Sequence, residues 1–168
     1  KEDECTGRFW EGRFKSQPLL DEAALAACMA YVDLNPIRAK LAPTPETSDF
    51  TSIKKRIDHA RRGKQPNSLL RFAGSPRKKM PKGLPFELKS YLELVELTGN
   101  YIRTDKKGAI FEAQPILSRL NIEPDNWMKL TTQFSRIFHG AVGRERVLTA
   151  YCETLKKRRR TNLANCEH

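Results

Sequence analysis

Apolar side chains in this chain recur mainly at helical spacing, and the breaks between them fall on Pro, Gly and short Ser/Thr runs. The clearest predicted helix is DEAALAACMAYVDL (21–34). Asp21 suits an N-cap, alanines favour the helix, and Pro36 forces its end near Leu34 or Asn35. Leu25, Cys28, Met29 and Val32 fall at i, i+3, i+4 and i+7, which predicts a buried stripe. Tyr31 lies about 120° from Leu25, on the flank of that stripe. Ala27 and Ala24, one and two turns back, leave open space around its hydroxyl. This is an edge position.

The remaining segments are read the same way. RFWEGRFKSQPLL (8–20) alternates as a strand or short hairpin, with Trp10 and Phe14 on one face and Pro18 stopping the run. Residues 41–51 form a Pro/Thr/Ser loop. SIKKRIDHARRGK (52–64) predicts a basic helix ending at Gly63, with Ile53 and Ile57 inward. Residues 65–85, rich in Pro and Gly, read as an irregular basic connector. FELKSYLELVEL (86–97) reads as an amphipathic helix closed by Gly99. Further helices are expected at 113–121, at 124–138 (with Trp127, Leu130, Phe134 and Phe138 inward) and at about 143–158. The expected fold class is mostly α, with one residual strand or hairpin before the helices.

Charge sharpens this picture because it is unevenly placed. Of the net +11, residues 51–82 carry eleven basic side chains against the single acid Asp58, and residues 156–168 carry five against one. Residues 1–50 are net negative and 83–155 balance at nine against nine. A concentrated basic segment suits a polyanion, since each neutralised phosphate releases condensed counterions. A solvated linker and a charged tail would show the same composition. Cys5, Cys28, Cys152 and Cys166 are widely spaced with no CxxC, so structural zinc is not expected and the thiols read as reduced, in a cytoplasmic protein. No membrane span, secretory signal or lipidation motif is read, and the start at Lys1 suggests lost upstream sequence.

The sharpest chemical feature is the block Tyr31-Val-Asp-Leu-Asn35-Pro36-Ile37-Arg38-Ala39. A tyrosine and an amide four residues apart project from one side of a helix. A phenol becomes a useful nucleophile when its target phosphate is held nearby, and an Asn oxygen is a suitable hard ligand for Mg²⁺ or Mn²⁺. Tyr31 as nucleophile and Asn35 as metal ligand are therefore chemically coherent. Spacing alone equally describes a surface tyrosine before a routine Asn-Pro helix stop.

Residues 9–53 resemble the end of the catalytic domain of IS200-like, REP-associated single-tyrosine transposases. That family has an aromatic-basic strand, then a tyrosine-bearing helix, then Tyr-x-x-x-Asn-Pro-[aliphatic]-Arg-Ala, matched here from Tyr31 to Ala39. MPKGLPFELKSYLELVELTG and WMKLTTQFSRIFHGAVG resemble the C-terminal extensions of some members. The resemblance implies a remnant of an α+β catalytic domain over 1–53, a basic linker and helix over 54–85, and a helical extension over 86–168. It also implies DNA transposition by metal-dependent transesterification. There the tyrosine attacks a phosphodiester of single-stranded DNA, and Mg²⁺ or Mn²⁺ is held by a His-hydrophobe-His pair and the amide after the tyrosine.

This sequence departs from the pattern in one respect. Its three histidines, His59, His139 and His168, all follow Tyr31, and none forms His-x-His. Asn35 by itself would hold a metal weakly, so the chain alone is expected to bind none and to be inactive by itself. His139 reads as a helix-end or core histidine. Expected DNA contacts are Arg13, Lys15 and Arg38 near the tyrosine, and Lys54, Lys55, Arg56, Arg61, Arg62, Arg77, Lys78 and Lys79 in the basic segment. Trp10 or Phe14 could stack on a base, although a core role fits them better. Lys156–Arg160 suit either phosphates or a helix C-terminus. Three readings stay open: a tyrosine transposase fragment, a non-catalytic module gripping single-stranded or hairpin DNA, or an inactive remnant. The expected partners are DNA and either a second copy or an intact transposase.

Overall fold

A computed structural model of the protein describes residues 16–74, 82–104 and 115–155. Within them the chain is mainly helical, as the apolar periodicity predicts, with two isolated β-bridges and no sheet. The expected strand over 8–20 falls largely outside the described residues. Its end appears as a short parallel bridge, in which Leu20 N donates to Val142 O and Val142 N to Pro18 O.

Local chemistry sets most helix starts. Asp21 sits in extended backbone and its carboxylate accepts from Ala24 N at 2.8 Å, opening α1 (Glu22–Asp33). Leu34 ends α1, and Pro36, which has no amide to give, falls in the first turn of the single-turn α2 (Asn35–Arg38). A 3₁₀ turn (Pro45–Thr47) follows, and Thr51 caps α3 (Ser52–Ala60). Then come α4 (Leu88–Thr104), α5 (Pro115–Leu120), α6 (Pro124–Ile137, again with Pro in its first turn) and α7 (Glu145–Thr154).

Two details of the helices differ from expectation. The inward stripe of α1 is made of alanines: Ala24, Ala26, Ala27 and Ala30 are buried, Leu25, Cys28 and Met29 only partly, and Val32 is 58% exposed. Ala24 and Ala27 border the same narrow cleft as Leu130 and Phe134 of α6. Methyl groups let the two helices approach closely, so the larger side chains take the margins. The second difference is Gly99, which does not close α4 but lies buried inside it. A Cβ there would stand 3.1 Å from Ile37 Cδ1 and 3.2 Å from Leu34 Cδ2. The glycine is used for close approach between α4 and the segment carrying α2, and α4 runs on to Thr104.

A small cluster of Ala141, Leu148 and Cys152 packs around α7, and one main core joins α1 to α6. Its largest buried members, Trp127, Tyr91 and Phe86, stand with Leu34, Ile53, Leu94 and Phe134. The inward set expected for α6 (Trp127, Leu130, Phe134 and Phe138) is buried. Trp127 Nε1 donates to Thr98 Oγ1 at 2.9 Å, which satisfies a buried indole and ties α6 to α4. The described residues of the connector after α3 lack helix, yet they bury Pro66, Phe72 and Ala73, and Phe72 bridges to Leu84.

Candidate functional site

Tyr31 lies one turn beyond Ala27, where the α1–α6 seam reaches the surface. Its ring is half-buried against Phe134, with centroids 5.8 Å apart. Its hydroxyl meets Ser135 Oγ at 2.7 Å, on an exposed stretch of α6. The space expected around the phenol is thus partly filled by α6, and the hydroxyl contact lies at the surface.

The stop at Leu34 and the new turn of α2 fold Arg38 back over the tyrosine. The guanidinium carbon lies 3.8 Å from the Tyr31 ring centroid. Nη1 donates to Tyr31 O at 2.6 Å and to Thr131 O at 3.1 Å, and Nη2 to Asn35 Oδ1 at 3.0 Å. Partial burial pulls the guanidinium below its ordinary range, while the Tyr31 contact opposes that. A guanidinium keeps its charge even so. Helix α6 contributes twice and departs from helical angles between those two contacts, at Gln133 (φ −126°, ψ 15°). Tyr31, Asn35 and Arg38 are therefore brought together, with Thr131 and with Ser135, which lies 104 residues from Tyr31 in the sequence.

The donor set fits a divalent ion poorly. The Asn35 oxygen expected to ligate it accepts a hydrogen bond from Arg38. An ion on that oxygen would sit beside a fixed positive charge. Among the described residues no three His, Cys, Asp or Glu side chains cluster. Here Asn35 anchors Arg38.

The expected DNA contacts divide into distinct groups. Arg56 is turned inward, contrary to the expectation that it faces phosphate: it is 5% exposed, donates to Leu70 O at 3.1 Å and lies 4.8 Å from the Phe72 ring. Its charge acts on Asp33, which is 3% exposed and whose carboxylate accepts from Ser52 Oγ at 2.5 Å and from Tyr91 Oη at 2.7 Å. Burial pushes the Asp33 carboxyl up from its ordinary range, against those hydrogen bonds and the Arg56 charge. Burial and the adjacent carboxylate push the Tyr91 phenol well up. Sequence reasoning missed this network. The spacing of Ala26, Ala30 and Asp33 at i, i+4 and i+7 could have revealed it, because it sets an acid on a buried helix face.

Lys54 pairs with Asp49, and Arg61 lies 3.9 Å from Asp58. Lys55, Arg61 and Arg62 are exposed along α3 and the turn after it. Arg13, Lys15, Arg77, Lys78, Lys79, Trp10, Phe14 and Lys156–Arg160 lie outside the described residues. His139 is exposed just past the end of α6, and His59 Nδ1 is 2.8 Å from Lys55 O. No helix among the described residues is long and apolar enough to cross a membrane. Comparison with protein-family models, with curated proteins and with solved structures finds no match in any of the three.

Proposed function

We propose that this chain handles DNA as part of a single-tyrosine transposition system, with Tyr31 as the residue that meets the scissile strand. The observation that supports this reading is the pairing of a surface phenol with a fixed cation. Arg38 is held against the Tyr31 ring by three hydrogen bonds while the hydroxyl stays at the surface. A phosphodiester approaching the phenol meets that positive charge on arrival. In the reaction, the Tyr31 oxygen bonds to phosphorus and the bond to the 3′ oxygen breaks. The phenol's proton is lost and the departing oxygen gains one, leaving a 5′-phosphotyrosine and a free 3′-hydroxyl. The histidine pair that the resembled family uses to hold its ion does not occur in this sequence. Chemistry therefore calls for that pair from outside these residues, in a longer chain or in a partner, and no step is assigned here to a metal.

A second reading rests on a different observation: the exposed cations Lys55, Arg61 and Arg62. They suit backbone phosphates without any chemistry. On that reading the chain is a module that grips single-stranded or hairpin DNA.

Incubation of the chain with a labelled single-stranded hairpin and Mn²⁺, alone and with an intact transposase, tests both. A covalent adduct to this chain that is lost in Tyr31→Phe supports the first. Salt-sensitive binding with no adduct in either mixture supports the second. Binding no tighter than to unrelated DNA overturns both.

A further inference from the structure

We infer that Ser135 is a positioning residue for the Tyr31 hydroxyl, so that the reactivity of the tyrosine is set from the C-terminal half of the chain. The inference rests on the reading of Tyr31 as a nucleophile and adds a residue that its local motif does not contain.

The geometry carries it in three steps. The Tyr31 ring is held on both sides, by Phe134 at 5.8 Å and by the Arg38 guanidinium at 3.8 Å. With the ring fixed, the one remaining freedom of the phenol is the direction of its O–H bond and lone pairs. Ser135 Oγ stands 2.7 Å from that oxygen and can serve as donor or acceptor. When the phenol loses its proton, a serine hydroxyl already in place donates to the phenolate with no further rearrangement.

The irregularity of α6 belongs to the same arrangement. Gln133, where the helical angles break, lies between Thr131, whose carbonyl receives Arg38, and Ser135, which receives the phenol. One short stretch of α6 therefore fixes the cation and the hydroxyl together. Thr131 is buried and Ser135 is exposed, so the contact to the phenol lies where a substrate can reach it. The exposure of Ser135 also means that its substitution leaves the core untouched.

The test needs no DNA. The full chain is treated with N-acetylimidazole, an acyl donor that a phenol oxygen attacks with release of imidazole. O-acetylation of each tyrosine is then followed by peptide mass spectrometry. Tyr101 and Tyr151, both partly exposed and remote from Ser135 in sequence, serve as internal references. The expected result is that Ser135→Ala slows Tyr31 acetylation at least threefold and leaves both references unchanged, while Ser135→Thr restores the rate. A serine that merely packed against the ring would, on removal, leave Tyr31 equally or more reactive. An unchanged or faster rate in Ser135→Ala, or failure of Ser135→Thr to restore it, overturns the inference. Because acetylation is read without nucleic acid, a failed hairpin assay would remove the DNA reading and leave this result standing, and the reverse also holds.

Discussion

At the residue scale, Arg38 does the most to shape the site. A single guanidinium spans two backbone carbonyls, one side-chain amide and one aromatic face. Only a planar fork can reach all four, so Lys is a poor replacement. Arg38→Gln is expected to destabilise the fold by about 1–3 kcal/mol, since partly buried acceptors lose a charged donor. Arg38→Lys should recover less than half of that loss. Urea titration of the three proteins checks both statements. Tyr31→Phe removes one hydroxyl that bonds to an exposed serine, so its stability should change by less than about 1 kcal/mol. Loss of the DNA adduct in Tyr31→Phe would then reflect chemistry and not unfolding.

At the scale of elements, two contacts tie α1 and α2 to α3 and α4. The first is Gly99. In Gly99→Ala, better helix propensity contributes about 1 kcal/mol, but crowding against Leu34 and Ile37 costs about 1–3 kcal/mol. A net loss of stability is expected, and it should disturb α2, which carries Arg38. A lowered Tm together with an altered Tyr31 acetylation rate would register both effects. The second contact is the Asp33 network, which joins α1 to Ser52 of α3 and Tyr91 of α4. The folded pKa of Asp33 is raised, so the folded state binds its proton more tightly than the unfolded chain does. The stability from that group is present below the ordinary carboxylate value of about 3.9 and is lost as pH rises through the folded value. Relative to Asp33→Asn, whose side chain does not titrate, the wild-type protein should therefore lose stability as pH climbs through that window. Parallel thermal melts of the two proteins at a series of pH values upward from about 3.9 read the difference directly. A wild-type stability that rises with pH relative to Asp33→Asn would overturn the sign.

At the scale of the whole molecule, the formal charge of +11 overstates the surface available to a polyanion. Arg56 is turned into the interior, where it donates to Leu70 O, Lys54 is paired with Asp49, and Arg38 faces the tyrosine. Lys55, Arg61 and Arg62 remain exposed among the expected contacts that the structure describes. If these three meet phosphates of single-stranded DNA, replacing all three with Ala should lower the salt dependence of log K by about 2, at roughly 0.7 per contact. Binding measured between low and moderate salt checks this, and an unchanged slope would place the contacts elsewhere. Much of the scaffold was legible in the residues themselves. The capping of α1 by Asp21, its end before Pro36 and the inward face of α6 follow from propensity, prolines and periodicity, which act within a turn or two of the chain. The grouping of Tyr31, Asn35 and Arg38 was also readable, since they share one local block. Tertiary packing alone decided that alanines and not the larger side chains of α1 face inward, that Gly99 sits inside a helix, that Arg56 turns away from solvent, and that Ser135 meets Tyr31. Each of these depends on which surfaces come together from distant parts of the chain, and local periodicity carries no information about the shape or charge of the surface that a helix will meet.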